Sequence, residues 1–180
     1  MASDFRLPTD RRTLVVEGMR FDSHPKIMGI INATDDSFFE GSRMMDSEAV
    51  QKGIAMWEAG ATWVDVGGES TRPGADPVDE ATELQRVIPV IEGLREARPN
   101  GLISIDTRHA SVARQALEAG ADMVNDVSGL SDPEMVEVVL EAGCAVCVMH
   151  MQGEPGTMQA NPSYADVNEE VAAMLEQVKE

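Results

Sequence analysis

Lysine is nearly missing from this chain, which has only Lys26, Lys52 and Lys179 in 180 residues, and 14 basic against 32 acidic residues leave a formal charge of -18. That balance excludes a protein whose main partner is a phosphate backbone, because such partners are held by basic surface that displaces counterions. Nucleic acid is therefore not an expected partner. No run of about eighteen apolar residues occurs, which excludes a helical membrane span. The opening residues Met1-Ala2-Ser3-Asp4-Phe5-Arg6 carry both signs of charge and lead into no apolar segment, so no secretory leader is expected and the cytoplasm is the expected compartment. Cysteine is limited to Cys144 and Cys147. They lie in Cys144-Ala145-Val146-Cys147-Val148-Met149, which reads as a strand, and positions three apart on a strand face opposite ways. Two buried thiols are expected there, not a disulfide or a shared metal, and no second pair exists to complete four ligands.

What is present is enough for a core: 43% of the residues are hydrophobic, and 180 residues make one domain the default. The acids are scattered and not gathered into a tail. Self-repulsion at this charge density weakens a compact state at low salt and is screened at high salt. A halophilic archaeon that keeps molar salt in its cytoplasm is the expected source, with an ordinary acidic mesophilic protein as the alternative.

Residues 1–25 suggest a small hairpin or extension, with Arg12 to Glu17 and Met19 to Asp22 as its arms and Gly18 between them. From residue 26 to residue 180 short apolar runs alternate with helical periodicity. The runs are Ile27 to Ile31, Thr62 to Val66, Leu102 to Asp106, Met123 to Asp126 and Ala145 to Met149. Helices are expected from Asp46 or Ser47 to Gly60, from Glu80 to Ala97 with a kink at Pro89, from Ala110 to Ala119, from Asp132-Pro133 to Gly143, and from Val167 to Val178. The tripeptide Glu-Ala-Gly recurs at 58–60, 118–120 and 141–143, each time as a helix end with glycine at C′ feeding a strand. Five β-α units imply a parallel sheet with right-handed crossovers, either a (β/α)₈ barrel or a doubly wound sheet.

In either fold, ligands sit beyond the carboxyl ends of the strands. The first polar residues there are Asn32, then Asp65 with Thr71 and Arg72, then Asp106, then Asn125 and Asp126, then His150. Asp and Asn at one rim suit a ligand rich in N–H and C=O groups, such as a pterin ring. Structural alternatives stand beside this reading. Asp106 and Asn125 could cap the helices that follow them, Asn32 could belong to a turn, Arg72 could pair on the surface, and His150 reads better as structural than chemical.

Ile27-Met28-Gly29-Ile30-Ile31-Asn32-Ala33-Thr34, the loop Gly67-Gly68-Glu69-Ser70-Thr71-Arg72-Pro73-Gly74-Ala75, Ile103-Ser104-Ile105-Asp106-Thr107, Asn125-Asp126-Val127-Ser128-Gly129 and Met149-His150-Met151-Gln152-Gly153 together resemble dihydropteroate synthase. The resemblance implies a (β/α)₈ barrel that joins 6-hydroxymethyl-7,8-dihydropterin diphosphate to p-aminobenzoate and releases pyrophosphate with Mg²⁺. It implies that Asp106, Asn125 and Asp65 bind substrate, with Asp106 stabilising positive charge on the ring. Asn32 would ligate Mg²⁺, Thr71 and Arg72 would serve the aminobenzoate and the departing anion, and Phe38 would pack on the aminobenzoate ring.

Two departures accompany it. The family's first loop reads Thr-Pro-Asp-Ser-Phe-Ser-Asp-Gly-Gly, whereas this chain has Thr34-Asp35-Asp36-Ser37-Phe38-Phe39-Glu40-Gly41-Ser42, without the proline that stiffens the loop. A full barrel also takes about 250 residues, and the family's last three strands, with a further aspartate, a lysine and an Arg/His pair, have no counterpart here. Lys179 falls in a helix and does not replace that lysine. The expectation is an incomplete barrel, completed by a homodimer partner, a second chain or a fused domain. The alternatives are a non-catalytic or partner-dependent pterin-binding half-barrel and the pterin domain of a methyltetrahydrofolate methyltransferase, against which Ser70-Thr71-Arg72-Pro73 argues.

Overall fold

The computed structural model describes residues 3–5, 16–19, 26–33, 42–69, 77–153 and 157–178, with side chains described from residue 26 onward except those of 42–46. Phe38, Thr71, Arg72 and Lys179, and with them most of both loops singled out above, lie outside the described residues.

Strands β1 (Ser3–Phe5) and β2 (Val16–Met19) pair antiparallel. An antiparallel pair is present within the expected hairpin or extension, but its strands differ from the expected arms, since β2 runs through Gly18. From residue 28 the order is β3 (Met28–Asn32), α1 (Ser42–Glu58), β4 (Trp63–Gly67), α2 (Glu80–Ala97), β5 (Leu102–Asp106), α3 (Ala110–Ala119), β6 (Met123–Asp126), α4 (Pro133–Ala142), β7 (Ala145–Val148) and α5 (Val167–Gln177). Helix α1 starts four or five residues before the expected cap. Helix α2 is continuous through Pro89, whose missing N–H costs one ladder bond to the Gln85 carbonyl.

Strands β3 to β7 form one parallel sheet in sequential order. Doubly wound sheets reverse their strand order at a switch point, and this one does not. The arrangement is that of consecutive units of a (β/α)₈ barrel. The helix ends explain the repeated tripeptide: Gly60, Gly120 and Gly143 hold φ of 103°, 120° and 59°, a region that side chains other than glycine rarely enter.

Period-2 alternation divides the sheet into two faces. Val64, Val66, Ile103, Ile105 and Val124 are wholly buried against Val87, Ile91 and Leu94 of α2 and Val112, Ala113 and Ala116 of α3. Each large apolar side chain so buried stabilises the fold by about 1.5–3 kcal/mol. At the amino end of the strands Arg95 fixes the stack, donating to the carbonyls of Gly120, Pro99 and Gly101 and pairing with Asp122 at 2.6 Å. Asp122 in turn accepts from the Ile103 N–H at 3.0 Å.

Candidate active site

The opposite face of the sheet carries the polar groups. The register places Asn32 beside Gly67, Gly67 beside Asp106, Asp106 beside Asn125 and Asn125 beside Cys147. Two residues earlier, on the same face, come Ile30, Asp65, Ser104, Met123 and Ala145. The structure thus brings Asp65, Asp106 and Asn125 together and sets Asn32 on the end strand of the same row. In-register parallel pairing does this without any special loop, because every strand presents equivalent positions at equal height.

Asn125 Nδ2 donates to Asp65 Oδ2 at 3.1 Å, leaving its own amide oxygen to accept from a ligand. Asp65 is 2% exposed, and its other oxygen is buried with the Ser104 hydroxyl beside it. Burial pushes the Asp65 carboxyl above its ordinary value, the Ser104 and Asn125 hydrogen bonds opposing. Asp106 is pushed further, up to about 7, first by burial and then by the surrounding charges of Asp65, Glu83, Asp126 and Glu69. Gly67 lies against it: an added Cβ would come into ordinary contact with the Asp106 side chain at 3.4 Å. Together these groups make a recess that favours N–H donors and positive charge.

The capping alternative for Asp106 and Asn125 is overturned. Helix α3 begins at His109 without a side-chain cap, and α4 is capped by Asp132, whose carboxylate accepts from Glu134 N–H. Asp126, grouped with the rim from sequence, points elsewhere. Wholly buried, it accepts from Ser128 N–H at 2.7 Å and Leu130 N–H at 2.9 Å and so holds the turn before α4. His150 packs against Tyr164 with ring centroids 5.7 Å apart and planes tilted by 47°, and both its ring nitrogens are buried without a hydrogen-bond partner among the described residues. Both cysteines are free, as expected, but the expectation of two buried thiols is corrected for Cys147. Its strand alternation turns it onto the open polar face beside Asn125, while Cys144 packs against the core.

Two side-chain pairs were missed from sequence. Arg108 grips Glu69 with two hydrogen bonds of 2.8 and 3.0 Å, and His109 Nδ1 lies 2.6 Å from Glu83 Oε2. Glu83 is wholly buried on α2, and burial raises its carboxyl against the pull of His109. A signal existed: residues 83, 87, 90, 91 and 94 share one helical face, so Glu83 puts a charge in an apolar stripe, which requires a partner.

A family model described as pterin binding enzyme matches residues 28–180. The chain belongs to the pterin-binding enzyme family. Among its relatives, the dihydropteroate synthase of Escherichia coli strain K12 is 48% identical over 160 residues, which is 88% of this chain and 56% of that one. A probable bifunctional folylpolyglutamate synthase/dihydropteroate synthase of Haloferax volcanii is 47% identical over 146 residues, 81% of this chain and 17% of that one. The dihydropteroate synthase of Burkholderia cenocepacia, solved in complex with 7,8-dihydropteroate, superposes with a TM-score of 0.73 at 41% identity, covering 90% of this chain and 55% of that one. The chain therefore spans about half the length of the single-function synthases it matches.

Proposed function

We propose that this chain is the pterin-binding part of a dihydropteroate synthase, which condenses 6-hydroxymethyl-7,8-dihydropterin diphosphate with p-aminobenzoate to give 7,8-dihydropteroate and pyrophosphate. The observation that carries the reading is the convergence of Asp65, Asp106 and Asn125 on one sheet face, Asp106 and Asn125 in register and Asp65 one pleat below, hydrogen-bonded to Asn125. In this reading Asp65 and Asn125 hold the donor-rich edge of the pterin. Asp106 meets the positive charge that develops on the ring as the carbon–oxygen bond to diphosphate breaks, and a fixed carboxylate at that point lowers the barrier electrostatically. Thr71 and Arg72 serve the aminobenzoate and the anion, and Phe38 packs on the aminobenzoate ring.

Mg²⁺ fits Asn32 as a sparse site. Among the described residues no group of three or more His, Cys, Asp or Glu is arranged for a metal, while Asn32 offers one neutral oxygen at the exposed end of β3. Mg²⁺ accepts one or two protein oxygens together with phosphate oxygens and retained water. When bound it would neutralise the diphosphate and improve it as a leaving group.

Residues 26–180 act as the pterin-binding unit, with 1–25 as an extension of it, in a halophilic cytoplasm. The activity is completed by a homodimer partner, a second chain or a fused domain. A second reading is a pterin-binding half-barrel that does not turn over alone, for which the same Asp65, Asp106 and Asn125 would bind the ring.

The test is dihydropteroate formation by the folded chain in molar KCl with both substrates and Mg²⁺, beside Asp106→Asn, with pterin binding measured in parallel. Turnover lost in the variant supports the synthase. Pterin binding lost in the variant, without turnover in either protein, supports the half-barrel. Failure of the folded wild-type chain to bind pterin sinks both.

A further inference from the structure

A glycine inside a strand weakens it, so its presence there calls for a cause: a bulge, a left-handed backbone, a neighbour pressing on the α-carbon, or a ligand that comes close. For ten of the eleven glycines whose surroundings are described, the fold itself supplies the cause. Five hold positive φ. At five others an added Cβ would come within 3.0 Å of a neighbouring atom, as at Gly68, where Glu83 Cγ and Val87 Cγ1 would both stand 2.9 Å away.

Gly67 is the exception. It lies buried at the carboxyl end of β4 and is not among the residues at positive φ. The pairing runs unbroken from Asn32 through Gly67 to Asp106, so no bulge occurs there. The nearest described atoms to an added Cβ are those of the Asp106 side chain, its Cβ and Oδ2 both at an ordinary 3.4 Å, and none of them is backbone. Nothing described in the fold therefore refuses an alanine at this position.

The row of residues on the polar face supplies the remaining cause. Asn32, Gly67, Asp106 and Asn125 stand at one height on adjacent strands, so the one position in this row without a side chain separates Asn32 from Asp106. Those two residues are two strand spacings apart, about 10 Å. In the proposed synthase the ring lies against Asp106 and Asn125 while the diphosphate lies by Asn32. The methylene and bridging oxygen that join ring to diphosphate, the substituent at carbon 6 of the pterin, then cross the Gly67 position, where the Asp106 carboxylate runs alongside.

We propose that Gly67 is a specificity-determining residue: by carrying no side chain it admits the 6-substituent of the pterin between Asp106 and Asn32, a passage that an alanine methyl would fill. The inference rests on the synthase reading for its ligand and on the surroundings of the glycine for its place.

The experiment compares Gly67→Ala, Gly68→Ala and Asn125→Ala with wild type, as full chains in molar KCl. Thermal unfolding is recorded for each. Binding is titrated with 7,8-dihydropterin, which has no 6-substituent, with 6-hydroxymethyl-7,8-dihydropterin, and with its diphosphate ester in the presence of Mg²⁺. Gly67→Ala is expected to melt at or above the wild-type temperature, since a strand conformation accepts alanine. It should weaken binding of both 6-substituted pterins by about tenfold, the scale of one misplaced methyl in a close-fitting pocket, and leave 7,8-dihydropterin within about twofold. Gly68→Ala should melt lower, and Asn125→Ala should weaken all three ligands alike. Equal effects of Gly67→Ala on the three ligands, or a fall in its melting temperature as large as that of Gly68→Ala, overturns the proposal while leaving the synthase reading in place. A folded wild-type chain that binds none of the three pterins overturns both.

Discussion

Replacing Asp106 by asparagine should stabilise the protein in mild alkali and, on the proposed function, weaken pterin binding. In the folded chain this carboxyl titrates at about 7 against an ordinary 3.8, because burial and four neighbouring carboxylates disfavour its charge. A group whose acid form is favoured by folding adds stability below the unfolded pKa and withdraws it as pH rises through the folded one. The window here runs from about pH 4 to pH 7. The shift is about three units at 1.36 kcal/mol each, or about 4 kcal/mol in full. Asp106 is partly open to solvent on the rim, so screening reduces this to about 2 kcal/mol. Asparagine keeps the shape and carries no charge. Above pH 8 the variant should therefore melt about 4–8 °C higher than wild type, and at pH 4 the two should coincide. Thermal unfolding followed by circular dichroism at both pH values, with salt held fixed, checks this. A melting difference equal at the two pH values, or a variant less stable at pH 8.5, would refute the idea that Asp106 is held against its charge.

Other substitutions test separate parts of the structure. Arg95→Ala should cost about 3 kcal/mol in urea unfolding, because it leaves Asp122 and three carbonyls without their donor in a nearly buried place, and Arg95→Lys should recover less than half of that. Cys147 should react with a thiol reagent in the native chain faster than Cys144. Burial and the charges of Asp65 and Asp106 raise its thiol, so Asp65→Asn should speed the reaction and bound pterin should block it. For the rim pair, burial alone would raise Glu69, but the Arg108 hydrogen bonds bring it below the ordinary carboxylate range. The stability difference between wild type and Arg108→Leu should therefore be present at pH 7 and vanish as pH falls through that lowered value, as read from denaturant midpoints.

Much of this architecture was legible because its signals are local. Asp132-Pro133 opens a helix and Gly143 closes it, and both can be read in isolation since a cap and a left-handed glycine need only their neighbours in sequence. The start of α1 was misread for the same reason in reverse: Asp46 and Ser47 look like caps, yet the helix continues back to Ser42. Alternation correctly sent Cys144 and Cys147 to different sides, but it could not show which side of the sheet is covered. That depends on the helices packing on one face only. Asn125 and Asp126 were grouped as rim residues because they are adjacent; one faces the recess and the other the turn, a division that a period of two makes unavoidable once the register is known.

The charge on the recess also bears on what must bind beside it. Among the described residues the charges on the open face of the sheet are those of Asp65 and Asp106. The nearby cations are turned aside: Arg108 to Glu69, Arg86 to the Gly68 carbonyl, Arg95 to carbonyls at the far end of the strands. Two carboxylates in a partly desolvated recess attract a donor-rich, electron-poor ring, but they repel a diphosphate attached to it. On the proposed reading the anion's countercharge has to come from elsewhere, Mg²⁺ held by Asn32 being one source. In the proposed synthase such a division would leave Asp106 to act on the ring alone, since a cation bound directly to Asp106 would cancel the charge that stabilises the developing cation.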